Sequence, residues 1–533
     1  MNNNMMSNDL AVSNHGVNFS DWPWLHWAES NPDQVALVYG ELRFTWLQVN
    51  ELVNEYAKQL TEQGVREGHV IAAVSTNNLT VLWLYLASLR LGACCVILDP
   101  KQSSEQLNDK LETLAATFIW LSEPELNVFA DLQDEGAKQL VITYLERPLT
   151  VDFFAAEPFT TGMYTQSDVK WQAQRLVSIV FTSGSSGKAK AVAHNAENHL
   201  YSAAGLLQSF VYTTQDSWLL SLPLFHVSGL AIVWRWLFAG GQLALPATAN
   251  IVEQLSTVTH ASLVPTQLKR YLHELDADKD KEQAQSAPRL KRILLGGAVI
   301  PVVLTGKAKS LGIECWSGYG MTEMASTVTA KHADSSAGVG MLLAHRSLEI
   351  DGQSIKVRGA SLGIGYYYRG ILRSMTDEHG WLITGDLGEI KCENAVFDKS
   401  SSELADTLFN KRFDSAPNKS SEELFILGRS DNMFISGGEN IHPEHIERIL
   451  LSHPLINQAL VFPREDAEFG HRPIAVIDAM AHISVCEMNN YLQYKLAKFM
   501  WPLNYYTLPN NIIVSGIKLN RASVQLWIAS LSK

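Results

Sequence analysis

LVSIVFTSGSSGKAKAVAH, residues 176–194, is the stretch whose reading decides the fold. Leu176–Phe181 is a short apolar run, the signature of a core strand. The segment AKAVAH is again strand-like, with a helix expected only from about Asn195. Between them lie Thr182, Ser183, Gly184, Ser185, Ser186, Gly187 and two lysines, Lys188 and Lys190. Glycines let backbone N–H groups turn toward an anion, hydroxyls add donors and lysines add charge. A Walker A loop needs four residues between its glycines and a hydroxyl residue after its lysine. Here only Ser185 and Ser186 separate the glycines, Ala189 follows Lys188, and the helix is delayed by a strand. The segment is therefore not a P-loop. By composition alone it is equally a flexible Gly/Ser turn; between two strands it suits a lid over a polyphosphate.

The surrounding chain reads as α/β. Ala261–Val264 and Arg292–Leu295 are further short apolar runs, and Pro265 and Pro301 each open a helical stretch, where a missing N–H costs nothing. Val81–Leu98 is the most membrane-like segment, but Arg90 and Gly92 divide it into a buried helix and a core strand. Asp276–Ala287 and the stretch from about Asn394 to Glu423 are polar and read as surface loops. After SGGEN the chain restarts with a helix at Pro443, with Glu444 and Glu447 in its first turn. These marks divide the chain into a tail over 1–17, a large domain over 18–429 with its insertion at 394–423, and a small domain over 430–533.

Across 533 residues, Lys plus Arg is 42 against 55 Asp plus Glu, a formal charge of −13. Without a basic block, nucleic acid is excluded as the main partner. Five sparse cysteines, none in a CxxC pair, fit a reducing cytoplasm, and MNNNMMSNDL has neither the basic nor the apolar region of an export signal. No membrane span is expected. Oligomeric state stays open, a homo-oligomer included.

With TSGSSGKAK (182–190), the segments LLGGAVIP (294–301), SGYGMTEMAS (317–326), TGDLGEI (384–390), GRSDNMFISGGENIHPEHIE (428–447) and IKLNR (517–521) occur in one order along the chain. In that order they resemble the AMP-forming acyl/aryl-CoA ligases, the adenylating superfamily. FSDWPWLHW (19–27), SLPLFHVSG (221–229), WRWLFAG (234–240), HASLVPTQL (260–268) and FGHRP (469–473) resemble the branch acting on o-succinylbenzoate. The resemblance implies a large domain of several β-sheets flanked by helices and a small mobile α+β C-terminal domain. It implies ATP, Mg²⁺ and coenzyme A as the reaction partners of a 2-succinylbenzoate substrate. Another aryl or medium-chain acid stays open as the alternative substrate.

The same resemblance assigns roles residue by residue. Lys518 is the cation of adenylation, although Ile517 rather than Gly precedes it; by itself it is a solvated lysine near the chain's end. Tyr319 stacks on adenine, with Gly296, Gly297 and Ala298 allowing close backbone approach, and Gly320 beside it is a further nucleotide-binding residue. Thr322 donates to the α-phosphate and Glu323 holds Mg²⁺, a hard oxygen ligand of the right type. Asp386 and Arg429 bind ribose, although Asp386 alone is equally a turn or cap residue. Asp431 is the hinge, and Gly437 and Gly438 belong to the face that enters for thioester formation, or form a plain turn. Arg235 and Ser262 recognise the second carboxylate of the acid, and His226 lines the gate toward coenzyme A. The plain alternative for WRW is a helix with two packing tryptophans and an exposed or salt-bridged arginine. The cluster Trp22, Trp24 and Trp27 is expected to be core.

Overall fold

The computed structural model describes residues 19–122, 169–182, 189–279, 289–297, 300–392, 410–414, 422–509 and 521–531. Leu176–Thr182 and Lys190–Asn195 pair antiparallel, Thr182 opposite Lys190, on either side of the Gly/Ser segment. Asn195 then caps the helix Ala196–Leu207 in a reciprocal arrangement with Asn198, which satisfies two amides the helix start leaves unpaired. Gly365–Tyr368 and Ile371–Arg373 complete this four-stranded sheet.

The largest sheet has nine strands. Its centre is parallel: Glu314–Met321, Arg292–Leu295, His260–Leu263, Ser217–Leu219, Gln242–Leu245 and Val35–Tyr39. Antiparallel strands close both edges, Ser326–His332 and Met341–Leu342 on one side and Leu42–Thr45 on the other. Every residue of His260–Leu263 is buried, as a strand covered on both faces requires. A three-stranded parallel sheet joins Cys94–Leu98, Val70–Val74 and Phe118–Leu121. Val81–Leu98 is divided as expected into the helix Leu79–Arg90 and the strand Cys94–Leu98, with Gly92 at φ 68° between them. Among the described residues no helix is long and apolar enough to cross a membrane. Trp22, Trp24 and Trp27 are buried in the core, and Trp46 stacks on Trp236 at 4.9 Å.

A five-stranded antiparallel sheet follows, made of Asn410–Asp414, Arg346–Asp351, Ser354–Gly359, Leu382–Cys392 and Glu422–Arg429. The polar stretch 394–423 is thus not wholly a loop: Asn410–Asp414 is an edge strand, where charged side chains are the usual content. The rest of that stretch up to Ser421 lies outside the described residues. Likewise the helix Pro265–Lys279 runs through the first four residues of Asp276–Ala287, and Lys307 of the neighbouring helix pairs with Asp276. Residues 280–288 lie outside the description.

After Arg429 the chain enters a last sheet of Glu439–Ile441, Phe434–Ser436, Gly470–Ala479, Ile456–Asp466 and Tyr505–Thr507. The helix Pro443–Leu451 packs on it through Ile446 and Leu450. Glu444 is in the first turn of that helix as expected, but Glu447 is not. It is buried, accepts the Val461 amide at 2.8 Å and pairs with Arg521, because a carboxylate facing the core must find donors.

Candidate active site

The parallel strands His260–Leu263, Arg292–Leu295 and Glu314–Met321 are adjacent, and their carboxyl ends carry the residues singled out above. Crevices beyond the carboxyl ends of parallel strands are where open α/β sheets bind ligands. Gly296 follows one strand, and a Cβ there would meet nothing within 4 Å among the described residues. Gly297 adopts φ 84°. Ala298 lies outside the described residues. At Gly320 the missing Cβ leaves room for the Ser326 carbonyl, which would be 2.2 Å away. It is needed first by the hairpin of Glu314–Met321 with Ser326–His332.

Tyr319 on this hairpin is held by its hydroxyl, which donates to Asp386 Oδ2 at 2.6 Å. Arg429 Nη1 donates to Asp386 Oδ1 at 3.0 Å, while Nε and Nη2 donate to Asp431 at 3.2 and 3.3 Å. Tyr319, Asp386, Arg429 and Asp431 therefore form one chain of contacts. Each Asp386 oxygen keeps a further lone pair, so the carboxylate can still accept from vicinal hydroxyls. The Tyr319 hydroxyl is pushed far up by burial and by the neighbouring Asp386, which keeps it a donor.

On the phosphate side, Ser183, Gly184, Ser185, Ser186 and Gly187 lie outside the described residues, but the strands on either side of them are described. Lys190 Nζ sits 5.2 Å from the Tyr366 ring centroid, and the Tyr366 hydroxyl donates to Glu323 Oε1 at 3.3 Å. The end of the Gly/Ser loop and Glu323 thus share one tyrosine. Glu323 is half-buried and makes no ion pair among the described residues, which suits a carboxylate reserved for a divalent cation. Thr322 begins a 3₁₀ turn over Thr322–Met324, and its carbonyl accepts from His194 Nε2 at 2.7 Å. Burial pushes His194 down to about 4, so it is neutral and its Nε2 carries the proton. His194 and Tyr366 were missed by the sequence reading. A histidine ending a strand and one tyrosine in GYYY carry no pattern that marks them.

Arg235 lies on the helix Val227–Ala239 and is only 2% exposed. The expected pair of packing tryptophans is there: Trp236 stacks on Trp46, and Trp234 Nε1 donates to the Tyr85 hydroxyl at 2.9 Å. The arginine between them is buried rather than exposed, and among the described residues it makes no salt bridge. Arg235 Nη2 donates to Ser326 Oγ at 3.3 Å, its guanidinium lies 5.2 Å from the Trp218 ring, and Nε has no partner among the described residues. Burial, with Arg346 adding a like charge, pushes Arg235 down to about 9. Ser262 joins the same cluster, since Trp218 Nε1 donates to its Oγ at 3.2 Å. His226 is exposed at the start of the Arg235 helix, its ring against Phe225 at 4.8 Å.

Between the two sides runs an unusual corner. Ala325 has φ 50° and Ser326 φ 116°, consecutive values that L side chains rarely adopt, at a cost of about 1–3 kcal/mol each. In the C-terminal sheet, Gly437 and Gly438 form the exposed tip of a hairpin, with φ 57° and 90°. Lys518 lies outside the described residues.

Residues 24–367 match the AMP-binding enzyme family. A 2-succinylbenzoate–CoA ligase of Salmonella typhimurium is 37% identical over 517 residues, covering 97% of this chain and all, 100%, of that protein. Among solved structures, an arginine-to-lysine variant of E. coli MenE with bound OSB-AMS superposes with a TM-score of 0.76 at 34% identity, over 96% of this chain and 99% of that one. The o-succinylbenzoate coenzyme A synthetase of Bacillus subtilis in complex with ATP and magnesium ion gives 0.73 at 26% identity, over 92% and 96%. With the strand-end crevice and the family match spanning the same residues, the chain belongs to the AMP-binding enzyme family, in its 2-succinylbenzoate–CoA ligase branch.

Proposed function

We propose that this chain ligates 2-succinylbenzoate to coenzyme A through an acyl adenylate, a reaction of menaquinone biosynthesis. A carboxylate oxygen of the acid attacks the α-phosphorus of ATP and pyrophosphate leaves. The thiolate of coenzyme A then adds to the acyl carbon and AMP leaves, giving 2-succinylbenzoyl-CoA. Asp386 accepts the ribose hydroxyls, with Arg429 fixing its orientation and Tyr319 offering its ring to adenine beside Gly296 and Gly297. Thr182 and Lys190 bracket the Ser183–Gly187 loop over the phosphates. Glu323 is the residue to hold Mg²⁺, which when bound neutralises charge on the polyphosphate. Lys518 supplies the ammonium at the reacting oxygens, where preorganised charge is worth most in the transition state. The division at 429/430, with Asp431 as hinge, lets the C-terminal part exchange Lys518 for the Gly437–Gly438 face between steps. A sparse cysteine set without CxxC pairs supports a cytoplasmic setting.

One observation carries the substrate reading: Arg235 is a buried guanidinium with one hydroxyl acceptor and no carboxylate partner among the described residues. An aliphatic acid with a single carboxylate leaves that charge unmatched, which is costly. The remote carboxylate of succinylbenzoate matches it. Pyrophosphate exchange with a panel of acids tests this. Exchange is expected with o-succinylbenzoate and not with benzoate, succinate or octanoate, and Arg235→Ala is expected to raise the KM for succinylbenzoate about 100-fold or more. Equal exchange with octanoate, or unchanged discrimination in Arg235→Ala, overturns the reading.

A further inference from the structure

The corner at Ala325–Ser326 joins the two halves of the site. On its N-terminal side are Thr322 and Glu323, tied by the Ala325 amide donating to the Thr322 carbonyl at 3.0 Å. On its C-terminal side Ser326 Oγ accepts from Arg235. Two consecutive positive φ values without glycine need an outside restraint to persist. That restraint comes from behind. Ser202 Oγ, buried on the helix Ala196–Leu207, donates to the Ala325 carbonyl at 2.7 Å.

Ser202 is itself held by a buried arginine from another sheet. Arg346 Nη2 donates to the Ser202 carbonyl at 3.2 Å and to its Oγ at 3.4 Å, and Nη1 donates to the Ala344 carbonyl at 2.7 Å. The helix makes room for it at Gly205, where a Cβ would stand 2.2 Å from Arg346 Nη1. Gly205 is one turn from Ser202, on the same face. Neither Ser202 nor Arg346 has a role in the ligand contacts described above.

We propose that Ser202, fixed by Arg346, is a positioning residue that preorganises the Ala325–Ser326 corner, so that one turn sets both the acid-recognising Arg235 and the phosphate- and metal-facing Thr322–Glu323. This rests on the reading of those residues given under the proposed function. A quantitative consequence follows from linkage. With the latch in place the corner is ordered before either ligand arrives. Without it, the first ligand to bind bears the ordering cost and the second does not. Loss of Ser202 therefore weakens acid and nucleotide by the same factor when each binds alone, and that factor is not repeated when the other is already bound.

The test is calorimetric titration of the full-length protein and of Ser202→Ala with o-succinylbenzoate, with α,β-methylene-ATP and Mg²⁺, and with each in the presence of the other at saturation. The non-cleavable nucleotide keeps chemistry out of the measurement. Ser202→Ala is expected to weaken each ligand alone about five- to tenfold, the scale of one lost hydrogen bond, and to restore near wild-type affinity for the second ligand. Weakening of the acid alone, or of neither ligand, overturns the proposal, as do losses that multiply. Ser202→Cys, which keeps the volume with a weak donor, is expected to give the same paired losses and serves if the alanine variant does not fold. Failure of the unaltered protein to bind either ligand instead removes the functional reading on which the proposal stands.

Discussion

A guanidinium taken out of water without a counter-ion keeps its charge only where dipoles or a ligand compensate it. Arg346 has its dipoles, two carbonyls and a hydroxyl, whereas Arg235 has one hydroxyl and an indole face. That contrast is what favours Arg235, rather than Arg346, as the proposed contact of the acid. At the same scale, Tyr319 separates into ring and hydroxyl. Tyr319→Phe keeps the ring but frees Asp386 Oδ2, and is expected to weaken ATP binding about fivefold; Tyr319→Leu is expected to weaken it further if the ring is the adenine platform proposed for it. Equal losses would assign the whole effect to the hydroxyl. Three buried histidines contribute to acid sensitivity. Burial pushes His194 and His260 down to about 4 and His199 well below its ordinary value of 6.5. The unfolded chain then binds protons near pH 6.5 that the native chain refuses. Their contribution is complete above that pH and is lost as pH falls toward 4, by about 1.4 kcal/mol per pH unit for each proton. Urea unfolding between pH 4.5 and 7 should show this slope, and His194→Gln should reduce it by one proton's worth; an unchanged slope would remove His194 from the account.

Elements were the most legible level. Short runs rich in apolar residues and followed by turn or helix-start residues marked Leu176–Thr182, His260–Leu263 and Arg292–Leu295; the polar residues a buried strand does carry, such as Ser178, His260 and Ser262, are hydrogen-bonded. The loops were less legible, for a physical reason. Asn410–Asp414 pairs through its backbone at a sheet edge, where no apolar side chain is required, so polarity gave no sign of it. The candidate site divides the same way. Tyr319, Glu323, Asp386 and Arg429 stood in motifs, but Ser202, Arg346 and Tyr366 reach the site across sheets, and single residues brought in by tertiary packing leave no local pattern. Gly320 shows how a motif glycine is claimed by its hairpin before any ligand. Gly320→Ala sets a methyl against the Ser326 carbonyl and is expected to destabilise the fold by about 2–4 kcal/mol, read by denaturant midpoint. A stability within 0.5 kcal/mol of the parent, as surface substitutions usually give, would return Gly320 to a purely ligand-facing role.

At the scale of the whole molecule, the two half-reactions make incompatible demands on one cavity. Adenylation needs a cation beside the α-phosphate, whereas thioester formation needs that position vacated so that a thiol can reach the acyl carbon. A chain that changes sheets between Arg429 and Phe434, with Arg429 holding both Asp386 and Asp431, can meet both demands by turning about that junction. The two faces are then separable by substitution. Lys518→Ala is expected to slow pyrophosphate exchange about 10²–10³-fold while leaving transfer from synthetic acyl adenylate to coenzyme A within a few-fold. Gly438→Leu, at an exposed hairpin tip where φ is 90° and a Cβ meets nothing within 4 Å, is expected to do the reverse. Its bulk obstructs the face proposed to meet coenzyme A, and the strain of a side chain at that φ, about 1–3 kcal/mol, is read separately as a lowered denaturation midpoint. If both variants lose both half-reactions in proportion, the C-terminal part does not alternate, and a single fixed arrangement must serve both steps.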